Sequence, residues 1–332
     1  MKNGSMKKLF LRWEMLLILV LLALNVLLAI KEPTVFFKKG TITSMVEAGL
    51  NLCPLVMGMS LVMIIGKIDV CCVANVCVCA YVTGSLCEAG AAPGIAYLVG
   101  IIVSVLLGMF AGLLVGYLEF PPVVTTIALS LAYRGCVRGL MGTNVLRTFP
   151  KFYNALMWRD ILGIPYCAIA FTVIAILFTL LLHKTRFGRS LFMIGNNAMA
   201  TEYSGINVKR VIFQVYVIAG FMAGVCSAFF VGRTGGGMTA SMGTGSEMQV
   251  IATTALGGVA ADGGSGTIPG AFIATFIMAA TSYFLGLMGV EEQGRKIFMG
   301  IILIIAVVVT NSKETWLKEK LSGLRRKQQI AA

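Results

Sequence analysis

The sequence predicts an all-α, polytopic membrane protein. About ten transmembrane helices, including broken and short re-entrant segments, form one membrane domain over residues 1–332. Three observations predict it. Apolar residues make up 58% of the chain and charged residues 12%, where soluble domains carry about 45–50% and roughly 25%; a soluble fold this poor in charge could not cover its own surface. The apolar residues fall in long runs, material for roughly eight to ten spans at about 20 residues each. Lys and Arg, 27 against 14 Asp and Glu, gather between those runs, as in membrane proteins whose basic loops face anionic lipid. A net charge of +13 can also signal nucleic acid. No basic stretch is interleaved with the aromatics that stack on bases, so a lipid bilayer and no nucleic acid is the expectation.

The elements follow in order. Lys7, Lys8 and Arg12 precede an apolar run at 15–30. A signal peptide begins in the same way, but this run exits through Lys31, Glu32 and Pro33 without a small-x-small site and reads as a retained first helix. Further runs lie at 45–65, 70–86, 95–118, 123–141, 164–182, 211–231, 248–259, 268–288 and 297–310. Ten runs put both termini on one side. With that side cytoplasmic, sixteen Lys and Arg lie inside and nine outside, Arg134 and Arg138 falling within a span, which is the direction the positive-inside rule requires. The tail 311–332 is then a basic cytoplasmic extension. Two runs are poor spans. Asn51 and Pro54 interrupt 45–65, which breaks or kinks a helix. The run 248–259 is too short to cross about 30 Å of hydrocarbon. Broken helices survive in a membrane where protein or a cavity covers their freed backbone, so both point toward a pathway.

No catalytic constellation is present. There is one histidine, His183, beside Lys184 at the end of a run, and no HExxH, GxSxG or GxxxxGK[ST], which argues against zinc hydrolase, serine hydrolase and Walker ATPase chemistry. The nine cysteines sit mostly in apolar runs as small hydrophobes. Cys71-Cys72 and Cys77-Val78-Cys79 lack the spacing and His partners of a zinc site, so no metal is expected. The glycine-rich run 257–270 (GGVAADGGSGTIPG) has no preceding strand and no following Lys, unlike a phosphate cradle. Gly257, Gly258, Gly263, Gly264, Gly266 and Gly270 instead predict a tight re-entrant turn between two helices, where φ > 0 and close backbone approach are needed.

The polar segment 184–210 has basic ends and a middle, Asn197 to Tyr203, that can form a short amphipathic helix with Ala198, Met199 and Tyr203 as its contact face. Gly195 and Gly205 bracket it as stop and start signals. Such a helix suits docking to a soluble partner by helix-in-groove contact.

Four blocks carry a resemblance. They are GKIDV at 66–70, PPVVTTIALSLAYRG at 121–135, TRFGRSLFMIGNNAMATEYSGINVKR at 185–210 and SEMQVIATTALGGVAADGGSGTIPGAF at 246–272. In order and spacing the chain resembles the ribose-type permease subunits of bacterial ABC sugar importers, within the larger group that includes branched-chain amino acid and nucleoside permeases. The resemblance implies a ten-span permease of the bacterial plasma (inner) membrane, two copies per transporter, identical or not. Cytoplasmic ATP-binding subunits use ATP and Mg, an extracytoplasmic binding protein delivers the solute, and no cofactor is bound by this chain. The segment with Gly188, Gly195, Asn197, Ala198, Ala200, Tyr203 and Gly205 would couple it to the ATPase. The chain departs from the family pattern where Cys71-Cys72-Val73 replaces Ser-Val-Gly and where Gln249 replaces an Asp.

For the solute path the candidates are Asn51, Asp69, Glu247 and Gln249. A sugar calls for neutral donors and acceptors rather than fixed charge, which favours Asn51. Asp69 can line the path, pair with Lys67, or cap the following helix; Glu247 can line the path or cap. Arg138 reads as a snorkelling side chain and Arg134 stays open. Uptake of nucleosides or branched-chain amino acids by the same machinery is the alternative. An ion-coupled carrier needs buried midplane acids, whereas Asp69, Glu247 and Asp262 fall at span ends.

Overall fold

The structure is a computed structural model. It describes residues 13–36, 41–147, 149–150, 153, 155, 159–161 and 164–291, and then 294–295, 297–298, 300–302 and 304. The basic tail 311–332 and most of the predicted run 297–310 lie outside the described residues.

Among the described residues the regular structure is helical apart from a pair of two-residue strands and an isolated bridge between Leu146 and Met238. Helix α1 spans Trp13–Lys31, followed by the single turn α2, Pro33–Phe36. The predicted break divides the second run into α3, Thr41–Leu50, and α4, Cys53–Ile64, with Asn51 and Leu52 between them. Pro54 falls in the first turn of α4, where its missing N–H costs nothing. Then come α5, Cys72–Glu88, and α6, Pro93–Gly112, which runs on as a π-helical turn, Leu113–Tyr117. Helix α7 is Pro122–Met141. Strands β1, Asp160–Ile161, and β2, Ile164–Pro165, pair antiparallel ahead of α8, Tyr166–Lys184. The polar segment folds as α9, Arg186–Asn196, and α10, Ala198–Tyr203. Helix α11 is Val208–Arg233, α12 the short Ser246–Leu256, and α13 Ile268–Leu287.

Five of these, α1, α6 with its π-turn, α8, α11 and α13, are long and apolar enough to cross a membrane. The predicted runs at 45–65, 70–86, 123–141 and 248–259 are also largely helical, but α3, α4, α5 and α12 are shorter and α7 carries Arg134 and Arg138. The chain is a multi-pass, all-α membrane protein.

Helix α4 is the axis of the packing. All twelve of its residues are buried, which matches a helix apolar on every side, and it lies against α11, α12 and α13. Around it α11 packs most extensively on α6. Small residues make that crossing close. Gly100, Ser104, Gly108, Gly112 and Gly116 recur every four residues along α6 and its π-turn. A Cβ at Gly108 would lie 2.6 Å from Tyr216 O and 2.8 Å from Gly220 Cα, so only glycine permits the approach. A buried polar knot pins the same crossing: Asn75 Nδ2 on α5 donates to Ser104 O at 3.0 Å, and Ser104 Oγ sits 2.9 Å from Asn75 Oδ1 and 2.7 Å from Gly220 O.

Candidate functional site

Three groups of residues matter: the α9–α10 projection, the glycine turn beneath it, and a charged clasp further along the bundle.

The segment 184–210 is more ordered in its build than a polar loop. Thr185 Oγ1 accepts from Gly188 N at 3.0 Å and caps α9. The buried side of α9 is Gly188, Ser190, Leu191 and Ile194. Asn197 alone separates α9 from α10, and its Oδ1 accepts from Ala200 N at 2.9 Å. Gly205, at φ +82°, ends α10, its N–H donating to Glu202 O at 2.9 Å. Asn207 then caps α11 by accepting from Arg210 N at 2.9 Å. Three consecutive helices are thus capped by side chains, as N-terminal N–H groups require. On α10 only Thr201 is buried. Ala198 and Ala200 are exposed, as are Met199 at 68% and Tyr203 at 86%. The predicted short helix is present, with Ala198, Met199 and Tyr203 exposed on it.

Gly195 is placed differently from the expectation. It lies inside α9 and makes no turn, because Asn197 interrupts the helix. Its glycine is needed for packing: a Cβ there would overlap Ile64 O and Gly264 N. Gly188 likewise sits against the carbonyls of Leu181 and Leu182 at the end of α8.

The glycine-rich run forms the expected tight turn between α12 and α13. Gly258, Gly263, Gly264 and Gly266 have φ of +86°, +91°, +77° and +151°. Gly257 and Gly270 allow the two helices to cross, since a Cβ on Gly257 would overlap Ala271 and one on Gly270 would overlap Gly257 O. The turn also receives α1: Trp13 Nε1 donates to Leu256 O at 3.0 Å, and Thr267 Oγ1 donates to Glu14 Oε1 at 3.0 Å. The start of α1, the glycine turn and α9 therefore lie at one end of the molecule.

Asp69 is buried in the link between α4 and α5. Its Oδ1 accepts from Cys71 N at 2.8 Å, so the carboxylate caps α5. It makes no ion pair with Lys67 among the described residues. The same link is held to the N-terminal part of α7, where Thr126 Oγ1 accepts from Val70 N at 3.1 Å. Cys71 and Cys72, the departures from the family pattern, are buried apolar-type side chains at this helix start.

Arg134 and Glu247 resolve each other. Arg134 Nη2 and Glu247 Oε1 form a short ion pair between α7 and the first turn of α12. Arg134 Nη1 donates to Met242 O and Thr244 Oγ1, both at 3.1 Å, and Glu247 Oε2 accepts from Gly245 N at 2.8 Å. Helix α12 is about 16 Å long at 1.5 Å per residue, which puts this clasp well inside the bundle from the glycine turn. Glu247 stands at the start of α12, as expected, and there it also pairs with Arg134. It is buried and clamped. Gln249 is half-buried on the same helix, and Arg138 is exposed. Asn51, fully buried in the α3–α4 break, accepts from Arg233 Nη1 at 3.1 Å through Oδ1, and its backbone carbonyl accepts from Cys226 Sγ at 2.9 Å. Its Nδ2 has no hydrogen-bond partner among the described residues.

Sequence reasoning missed the Arg134–Glu247 partnership and the Asn75–Ser104 knot. A signal for the second existed, in the four-residue recurrence of small residues around Ser104.

The sequence profile of the branched-chain amino acid transport system / permease component family matches residues 48–307. The chain is 34% identical to the probable ABC transporter permease protein YphD of Escherichia coli K12 over 190 residues, which is 57% of this chain and 56% of that protein, so the match spans little more than half of YphD. It is 29% identical to the autoinducer 2 import system permease protein LsrC of Salmonella typhimurium LT2 over 81% of this chain and 77% of LsrC. It is 28% identical to LsrD of the same kind of system in Escherichia coli SMS-3-5 over 75% and 77%. No solved structure matches it.

Proposed function

The chain belongs to the branched-chain amino acid transport system permease family, and from that premise we propose that it forms the translocation path for a monosaccharide in an ATP-driven importer. In this reading two permease copies sit in a bacterial plasma membrane with both termini and α10 in the cytoplasm. A pair of ATP-binding subunits docks on α10, and an extracytoplasmic binding protein delivers the solute. The carrying observation is α10 itself: a six-residue helix with capped ends whose apolar side chains, Met199 and Tyr203, face outward. An exposed methionine and an exposed tyrosine on a short helix are what a groove in a soluble partner takes up. Alternating access then follows from differential binding of the partner to two arrangements of the permease pair.

The solute class rests on how the path candidates are already engaged. Asp69 caps a helix, Glu247 is neutralised by Arg134, and Asn51 and Gln249 are uncharged. A neutral polyhydroxylated solute suits such a set, whereas an amino acid zwitterion requires uncommitted charges of both signs. The autoinducer 2 import permeases among its relatives support a non-amino-acid solute. A proton-coupled carrier needs a carboxyl free to exchange its proton, and Glu247 is clamped at both oxygens.

The test uses the complete transporter in vesicles. Ala198→Trp and Ala200→Glu insert normally and lose both pull-down of the ATPase subunit and ATP-dependent uptake, since overpacking a docked helix costs about 1–3 kcal/mol. Uptake is competed by monosaccharides and not by leucine. Full association and uptake in both variants would remove α10 as the docking element; competition by leucine alone would move the solute to the amino acid branch.

A further inference from the structure

We propose that the glycine turn is a mechanical joint that fixes α9, and through it α10, to the end of α4, so that displacement of the docking helix is delivered to the broken α3–α4 rod. This rests on the reading of α10 as the docking helix.

Three main chains meet here, with the Asn196 side chain as an additional tie. Ile64, the last residue of α4, accepts from Gly264 N at 2.8 Å through its carbonyl. Gly264 O accepts from Asn196 Nδ2 at 3.3 Å, at the end of α9. Gly195 of α9 lies against both Ile64 O and Gly264 N, close enough that a Cβ could not be added. A Cβ on Gly263 would stand 2.6 Å from Gly66 N, and one on Gly66 3.0 Å from Asp262 O. Side chains absorb small displacements by changing rotamer; close-packed backbone has no such freedom and passes a displacement on.

What lies at each end of the chain of contacts gives it direction. Asn197 is the only residue between α9 and α10, so the docking helix cannot shift without moving Gly195. Beyond the joint, α4 is buried along its whole length and ends at the α3–α4 break. There the buried Asn51 has an amide group whose Nδ2 is without a partner among the described residues. A rod pushed from Ile64 would move that buried donor.

The test measures solute transported per ATP hydrolysed by the reconstituted transporter, alongside pull-down of the ATPase subunit. Gly195→Ala adds one methyl at the joint, and Asn196→Ala removes its one side-chain hydrogen bond without adding bulk. Gly195→Ala is expected to lower the transport-to-hydrolysis ratio about tenfold and Asn196→Ala about threefold, within the range of measured couplings, with association retained. An unchanged ratio in Asn196→Ala overturns the joint, and this variant decides if Gly195→Ala fails to fold. Loss of association in Asn196→Ala overturns it as well, by making the segment part of the docking surface. Failure of the wild-type chain to bind the ATPase at all would instead remove the underlying docking reading.

Discussion

The contact between α9, the glycine turn and α4 and the clasp between α7 and α12 are built from opposite materials. The first is backbone on backbone, uncharged, with Ile64, Gly66, Gly195, Gly263 and Gly264 in direct contact. The second is side chain on side chain, the Arg134–Glu247 ion pair with its satellites Thr244, Met242 and Gly245. A backbone contact has one geometry and is disturbed when any of its glycines gains a Cβ. An ion pair can open by rotation about side-chain bonds and close again, provided its charges find other partners. The difference teaches that rigidity and release are located apart in this molecule, the rigid contact next to the docking helix and the releasable one along the half-helix α12.

The comparison breaks most visibly at Gly263. With φ at +91° and a Cβ only 2.6 Å from Gly66 N, Gly263→Val combines a forbidden backbone angle with a clash against main chain. The expected cost is about 4 kcal/mol, at the upper end for point changes. Thermal unfolding in detergent should show a large fall in midpoint. A second substitution cannot rescue it, because the atoms it strikes are backbone. Recovery of the midpoint by any single side-chain change at Ile64 or Asp262 would contradict the rigid contact.

The clasp should behave otherwise. Glu247→Gln leaves Arg134, whose side chain is 17% exposed, without its carboxylate, and costs about 2–3 kcal/mol in the same unfolding measurement, below the fully buried case. Removing the second charge as well, Arg134→Met with Glu247→Gln, should restore most of the loss, since the uncompensated charge and not the missing attraction dominates. If the double variant is as unstable as the sum of the two single ones, the pair does not act as a unit.

The same contrast explains what could be read in the sequence. The α3–α4 break was legible because Asn51 and Pro54 punctuate an apolar run, and α10 because polar caps and small residues surround Asn197 to Tyr203. Local chemistry sets both. Helix α9 was not legible inside a segment that reads as polar from its Arg, Gly and Asn residues, although Phe187, Leu191 and Ile194 recur at helical spacing. Gly195 was recognised as significant but given a turn to make; its role depends on Ile64 and Gly264, far away in the chain, and glycine at a close approach looks the same in sequence as glycine at a turn. Arg134 and Glu247 are 113 residues apart, and neither charge names its partner. The glycine turn falls between these cases. Its positive-φ residues were predictable from composition, while the contacts that give it a mechanical role were not.

The smallest effect is expected at Glu119, in the link between the π-helical turn and α7. Glu119 pairs with Lys209 at 2.6 Å, the second residue of α11, and both side chains are exposed. Glu119 is also the non-glycine residue with positive φ, +57°, among the described residues, so it combines a surface ion pair with a strained backbone. Its pairing with Lys209 holds the carboxyl below the usual carboxylate range. A depressed folded-state pKa means that the pair contributes stability above the unfolded-state value and loses that contribution as the pH falls through the folded-state one. Exposed pairs are weak and screened by salt, so Glu119→Gln should leave the unfolding midpoint at neutral pH almost unchanged and flatten its already shallow acid dependence. Glu119→Gly removes the same charge but relieves the left-handed backbone, and should raise the midpoint by roughly 2 °C. A fall in both variants would mean that the ion pair outweighs the backbone strain, and this exposed contact would then belong with the Arg134–Glu247 clasp as a structural element rather than apart from it.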